Sequence, residues 1–292
     1  MKSPPELSLR SDWVLALRAV LVAFVGFASL AARLPGAPSA LPDRSASSAI
    51  LEQFRRAIWA EPVYAEFELR QMPRRGPEHV FHGRFWGSRN ERGPVTRIEF
   101  ETVGGSFLHR FLVQGGPEGS IWTSDGPGPG KPSGASAVIP LAPGVEMTPF
   151  DVLPMPFLYW IDYDLVGVSR IRGRQSYEFV FTPPADFSAL NPGIKSVRAY
   201  LDAQYDALVQ SEAIGPGGQV AKTLSLLELR KVGDRWIPKD VDVRNEVTRD
   251  KTRLTLTGVA MGATPAPGAF DPSNLGSPVA PPPSNSVIRL EQ

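Results

Sequence analysis

SVRAYLDAQYDALVQSEAI (residues 196–214) alternates apolar and polar side chains, breaks at Gln204-Tyr205-Asp206, and resumes the alternation before GPGG at 215–218. A period of two on either side of a short polar break predicts two antiparallel strands joined by a turn. The pattern recurs in both directions. QSYEFVFT (175–182), QVAKTLSLLELR (219–230), IPKDVDVRNEV (237–247) and TRLTLTGV (252–259) are set apart by turn sequences such as GPGG, KVGDR and TRDK. In KDVDVRNEV, Val241, Val243 and Val247 are expected on one face, with Asp240, Asp242, Arg244 and Glu246 on the other. Upstream, VYAEFELR (63–70), VFHGRFW (80–86) and VTRIEFET (95–102) turn Val63, Ala65, Phe67, Leu69, Phe81, Phe85, Ile98 and Phe100 to one side. FLHRFLV (107–113) is apolar on both faces, so its direction stays open.

Little in the chain can cover the apolar face these strands make. Ten or so strands at about 4.8 Å spacing form a sheet roughly 48 Å wide. AILEQFRRAIW (49–59) carries a stripe of Ile50, Phe54, Ala57 and Ile58 and predicts one amphipathic helix, after a polar linker LPDRSASS (41–48). MTPFDVLPMPFLYWI (147–161) is cut by Pro149, Pro154 and Pro156, which predicts a short helix near 148–153 followed by an irregular apolar segment. Two helices about 10 Å across shield roughly 20 Å of the sheet. A sheet left bare on one side closes, packs on a second sheet, or curls around an apolar guest. The expectation is therefore a mainly β, α+β domain: a curved antiparallel sheet forming an unclosed, half-open barrel, with an N-terminal helix and a lid-like segment over the concave face. Its groove is expected to be lined by Val63, Phe67, Leu69, Phe81, Phe85, Ile98, Phe100, Leu224, Leu226, Val241, Val243, Leu254 and Leu256. The lid is expected to present Phe150, Leu153, Phe157, Leu158 and Trp160, and such a groove suits acyl chains.

Composition narrows the function. The 292 residues contain no cysteine, which excludes thiolate catalysis, disulfides and Cys-ligated metals. Thirty Pro and 27 Gly make about a fifth of the chain, against roughly an eighth on average, so it is rich in turns. Lys2, Arg10 and Arg18 precede the apolar run AVLVAFVGFASLAA (19–32), and residues 1–40 read as an export signal and linker, either cleaved or kept as an anchor. Either way, the rest of the chain is expected to be delivered across a membrane. Losing this segment removes four basic residues (Lys2, Arg10, Arg18, Arg33) and two acidic ones (Glu6, Asp12), turning a net charge of +1 into −1. Nothing basic is left over to capture nucleic acid. Residues 41–275 are expected to form the domain and 276–292 a Pro-rich disordered tail.

Motifs for chemistry are sparse. His79 and His82 stand three apart on a strand and so face opposite ways, which makes a shared metal a poor reading. GPGPGKPS (126–133) has prolines where a phosphate loop needs N–H donors. Asp240 with Asp242, and Asp162 with Asp164, lie on single exposed faces rather than across a cleft. Arg170, Arg172 and Arg174 would share a side if extended, as a solvated edge or a contact for lipid phosphates. There is no GxSxG, SxxK or HExxH. No enzyme activity and no cofactor are expected.

The order of helix, meander, Pro-interrupted apolar insertion and closing hairpins resembles the LolA-like outer-membrane lipoprotein-sorting proteins and their LolB and regulator relatives. The resemblance is carried by 196–259, with Asp202 ending a strand, Gly233, Trp236, Ile237 and Pro238 in order, and a Thr-rich last strand, and by TPFDVLPMPFL at 148–158. TSDGPGPGKPSG (123–134) is richer in Gly and Pro than the matching stretch of a typical member. The resemblance implies a periplasmic carrier of lipid or lipoprotein acyl chains, working between an inner-membrane releasing complex and an outer-membrane acceptor. The alternative it leaves is a regulatory or scaffolding module of the same fold that binds a protein partner.

Overall fold

The computed structural model describes residues 41–101, 107–134, 136–152, 154–205 and 207–290; the expected export segment and Leu153 lie outside them. Alternation dominates the result. Strands β1 (Val63–Met72), β2 (His79–Asn90), β3 (Gly93–Glu101), β4 (Phe107–Gln114), β5 (Ser120–Ser124) and β6 (Lys131–Pro132) make the first half. The second comprises β7 (Tyr163–Ile171), β8 (Arg174–Phe181), β9 (Ser196–Asp202), β10 (Leu208–Ile214), β11 (Val220–Val232), β12 (Arg235–Asn245) and β13 (Lys251–Met261), with β14 (Ile288–Arg289) in the tail. All join one antiparallel sheet in the order β6-β5-β4-β3-β2-β1-β13-β12-β11-β10-β9-β8-β7, with β14 on β13. The two ends of that order do not meet, so the sheet curls without closing.

The concave face carries the main core, including Phe67, Leu69, Phe100, Phe111, Phe179, Phe181, Leu224 and Val243. Helix α1 (Arg44–Ala57) crosses it. Asp43 caps this helix by accepting from Ala46 N at 2.8 Å, so the stretch expected as a linker is its first turns. At its start Arg44 donates to the Tyr163 carbonyl beside β7; past its end Trp59 Nε1 donates to Thr96 Oγ1 of β3 at 2.8 Å. Arg89 of β2 takes the orphan carbonyls of Arg55 and Ile58.

The segment between β6 and β7 runs over the same face as a strap. Among the described residues near 148–153 no α-helix forms: the prolines break the stretch into turns, and a 3-10 turn stands at Pro156–Tyr159. The strap is pinned instead by side chains. Thr252 Oγ1 of β13 accepts from Glu146 N at 2.7 Å, Asn245 of β12 reaches Glu146 at 3.1 Å, and Lys222 of β11 pairs with Asp151 at 2.9 Å. A second helix absent from the expectation, α2 (Ala185–Leu190), buries Phe187 against Phe150 and Trp160.

The convex face differs more from expectation. Residues 263–287 lie packed across the outside of β1–β4, although 276–292 were expected to be a disordered Pro-rich tail. Leu275, Val279 and Val287 are buried there against Leu112, Val95, Tyr64 and Trp86. Arg97 donates to the carbonyls of Ala269, Asn274, Leu275 and Ser277, and Val279 N donates to Glu99. A sequence poor in hydrogen-bonded structure of its own is ordered by lending carbonyls to buried arginines. This cover explains β4: Phe111 and Val113 serve the concave core, while Leu112 packs under the tail. The Gly/Pro loop serves the same contact, Gly130 N donating to the Pro272 carbonyl at 2.7 Å.

Two smaller expectations change. Val247 does not share the face of Val241 and Val243, because β12 ends at Asn245 and Val247 stands exposed in the following turn. Arg170, Arg172 and Arg174 do not share a side: Arg172 and Gly173 form a hairpin turn at positive φ, and Arg174 pairs with Asp202 at 2.9 Å.

Candidate functional site

Between α1, the strap and the concave sheet lies an apolar cavity of about 280 Å³. Its walls follow from the alternation. Nine of the thirteen expected groove residues reach it: Val63, Phe67, Phe85, Ile98, Leu224, Leu226, Val241, Leu254 and Leu256. The other four sit elsewhere. Leu69, Phe100 and Val243 are fully buried in the core around it, and Phe81 packs on that core partly buried.

The lid splits in a similar way. The strap does contribute, but through Met147, Asp151, Val152 and Met155. Phe150, Phe157, Leu158 and Trp160 turn away from the cavity and join the core with Phe187 and Phe181. They hold the strap down rather than face the space. Burial also pushes the Tyr159 hydroxyl up to about 12.

Sequence reasoning missed the helical wall and the rim. Phe54, Ala57, Ile58 and Trp59 close one side, although the stripe of α1 marked three of them. Trp59 takes a left-handed φ of 50° and presses on Gly87, where a Cβ would come within 2.5 Å of its ring.

The cavity opens where β12 and β13 part. Their ladder stops at Asp240↔Thr255; beyond it Trp236, Ile237 and Pro238 leave β13 while still pairing with β11. Pro238 has no N–H to offer a neighbouring strand, so its presence in the sequence was the available signal. Trp236 is 54% exposed and Tyr205 53% exposed, and both line this mouth. Across it, Arg235 Nε meets Glu61 Oε1 at 2.5 Å. Toward the other ends of these strands the strap is bonded to Thr252, Asn245 and Lys222.

The charged side chains and Thr96 in the lining are already engaged. Thr96 bonds Trp59, Asp151 bonds Thr148 and Lys222, and Glu61 and Arg235 hold each other. None of the three histidines lines the space, and among the described residues no group of three or more His, Asp or Glu is placed to hold a metal. Among them, too, no helix is long and apolar enough to cross a membrane. The arrangement can bind an apolar guest by removing it from water.

Comparison with solved structures identifies the architecture. A domain named for outer membrane lipoprotein sorting from Vibrio parahaemolyticus is similar at a TM-score of 0.65 and 15% identity, over 77% of this chain and 97% of that one. A DUF1329 family protein from Desulfovibrio piger gives 0.64 and 14%, over 79% and 98%. A LolA superfamily protein from Nitrosomonas europaea gives 0.57 and 13%, over 75% and 94%. The fold is LolA-like. No family model matches the sequence, and no curated protein matches it.

Proposed function

We propose that this protein is an exported, non-enzymatic carrier that shelters an acyl chain of a lipid or lipid-modified protein while it crosses the periplasm. The observation that carries this is the cavity: an apolar space beneath α1 and the strap inside an unclosed sheet, with its charged side chains paired. Hiding a chain stabilises it by about 0.8 kcal/mol per CH₂, or roughly 12 kcal/mol for fifteen carbons. Similarity to a domain named for lipoprotein sorting supports the same reading. An inner-membrane complex that loads the chain and an outer-membrane acceptor would complete the route.

Release requires that the cavity grip less well than a membrane does. At about 280 Å³ it lies just under the roughly 300–1,000 Å³ of ordinary ligand sites, so a long chain fits only if the strap yields. Energy for that exchange comes from partners, because a guest shifts the strap only by its differential affinity for the two positions.

The test is to purify the protein from the periplasm, extract it with organic solvent and analyse the extract by mass spectrometry. Copurifying acyl lipid at near-stoichiometric amount is the expected result. An extract free of acyl lipid, together with no uptake of an added fluorescent fatty acid, overturns the carrier reading in favour of a module that binds a protein partner.

A further inference from the structure

The mouth bears on which amphiphile enters. A chain inserted where β12 and β13 part leaves its head beside the two charges that span the gap, Glu61 and Arg235. We propose, building on the carrier reading, that this mouth selects acyl chains with a zwitterionic head of the phosphoethanolamine type over anionic heads.

Three observations carry it. The pair is opposite in sign and close, so a purely anionic head drawn to Arg235 also meets Glu61 at almost the same distance, and the two effects cancel. A zwitterion can lie antiparallel to the pair and satisfy both. The side chains of Arg235 and Glu61 are 51% and 35% exposed, and exposed pairs are weak, so exchanging them for a head group costs little. Finally, the exposed ring of Trp236 stands on the rim and offers a face to an ammonium group, while the Tyr205 ring is already covered by the Arg174 guanidinium at 5.4 Å from its centroid. The remaining charges of the hairpin tip, Lys231 and Asp234, are again opposite in sign and add no net field.

Two exposed charge contacts together correspond to a preference of roughly threefold to tenfold. The experiment is displacement of a hydrophobic naphthylamine probe from the purified protein. Competitors are lysophosphatidylethanolamine and lysophosphatidylglycerol of equal chain length, both below their micelle concentrations, with glycerophosphoethanolamine as the head without a chain. Expected is displacement by the ethanolamine lipid at threefold to tenfold lower concentration, and none by the bare head. Glu61→Gln should erase or invert the preference by freeing Arg235 for the anionic lipid, whereas Arg235→Gln should weaken the anionic lipid further; thermal unfolding checks that both variants remain folded. Equal displacement by the two lipids, or a ratio unchanged in both variants, overturns the selection while leaving the carrier reading intact. Displacement by neither lipid overturns both.

Discussion

Replacing Arg97 with Met tests what holds the tail to the sheet. Arg97 is 0% exposed and gives hydrogen bonds to Ala269 O at 2.9 Å, Leu275 O at 3.2 Å and Asn274 O at 3.4 Å, as well as to Ser277 O and to Glu99 Oε1 at 3.0 Å. Burial pulls its pKa down, and Glu99 opposes that by stabilising the charge. Met keeps the apolar stem and removes every donor. Losing one partner of a buried ion pair costs about 3–5 kcal/mol. The tail carbonyls add little to this, because a tail released from the sheet turns them to water. Glu99 retains Arg84 at 2.9 Å and Arg110 at 3.5 Å, which argues for the lower part of the range, about 3–4 kcal/mol. With a urea slope near 3 kcal/mol/M for a domain of this size, the midpoint should fall by about 1 M. Limited proteolysis should at the same time begin to cut within 263–290. The comparison is Arg84→Ala, which removes a partially exposed partner of the same carboxylate and should cost no more than about 1 kcal/mol. A shift under about 0.3 M for Arg97→Met with the tail still protected, or equal losses for the two variants, would refute the reasoning.

Asp151→Ala should free the strap, because one carboxylate oxygen accepts from Thr148 N, Thr148 Oγ1 and Lys222 Nζ at 2.7–2.9 Å. The expected loss is about 2–4 kcal/mol, with faster hydrogen exchange over 141–152 and quicker uptake of an apolar probe; unchanged exchange there would discard the latch. Tyr159→Phe should alter the response to alkali. With its hydroxyl at about 12 in the fold and about 10 when unfolded, the unfolded chain loses the proton first, so stability is complete below pH 10 and declines between 10 and 12. The Phe variant should show a shallower decline in urea midpoint over that window, and a parallel decline counts against a buried hydroxyl.

Strand after strand was legible because one face is buried and a period of two admits no other register. SVRAYLD (196–202) and LVQSEAI (208–214) form β9 and β10 within a residue of the boundaries their alternation predicts. The tail was not legible, since its cohesion lies in Arg97, Glu99 and Arg110, which in a one-dimensional pattern read as an outward, solvated face. For the same reason Tyr64 and Trp86, outward by parity, gave no sign of being covered. Within the cavity, parity names the correct face but not the depth. Phe67 and Leu69 point the same way, yet only Phe67 reaches the space, because position along the strand relative to α1 and the strap decides it. Leu141, Ala142, Val145 and Met147 show how an irregular segment can shield a sheet face without forming a helix, and counting helices alone therefore overstated the uncovered area.

The persistence of a cavity under so much cover follows from how its two ends are built. At the strap end the backbone of Glu146 and the carboxylate of Asp151 are bonded to strands that remain paired, so the cover is tied to a rigid edge. At the other end β13 continues to Met261 while β12 has already turned away, which leaves one side of β13 without a partner. An exposed row of backbone groups invites another strand. Here β14 supplies it: Ile288 and Arg289 pair with Val259 and Gly258, Leu290 N donates to Thr257 O, and the Leu290 side chain joins the concave core. The tail thus satisfies the edge that the splay exposes, yet two residues of strand cannot replace the missing half of β12. The stretch from Arg235 to Pro238 stays apart from β13, its backbone paired with β11 and the Trp236 side chain half exposed at the rim. An opening framed by backbone pairing on both flanks does not depend on how individual side chains repack, as the proposed carrier role needs.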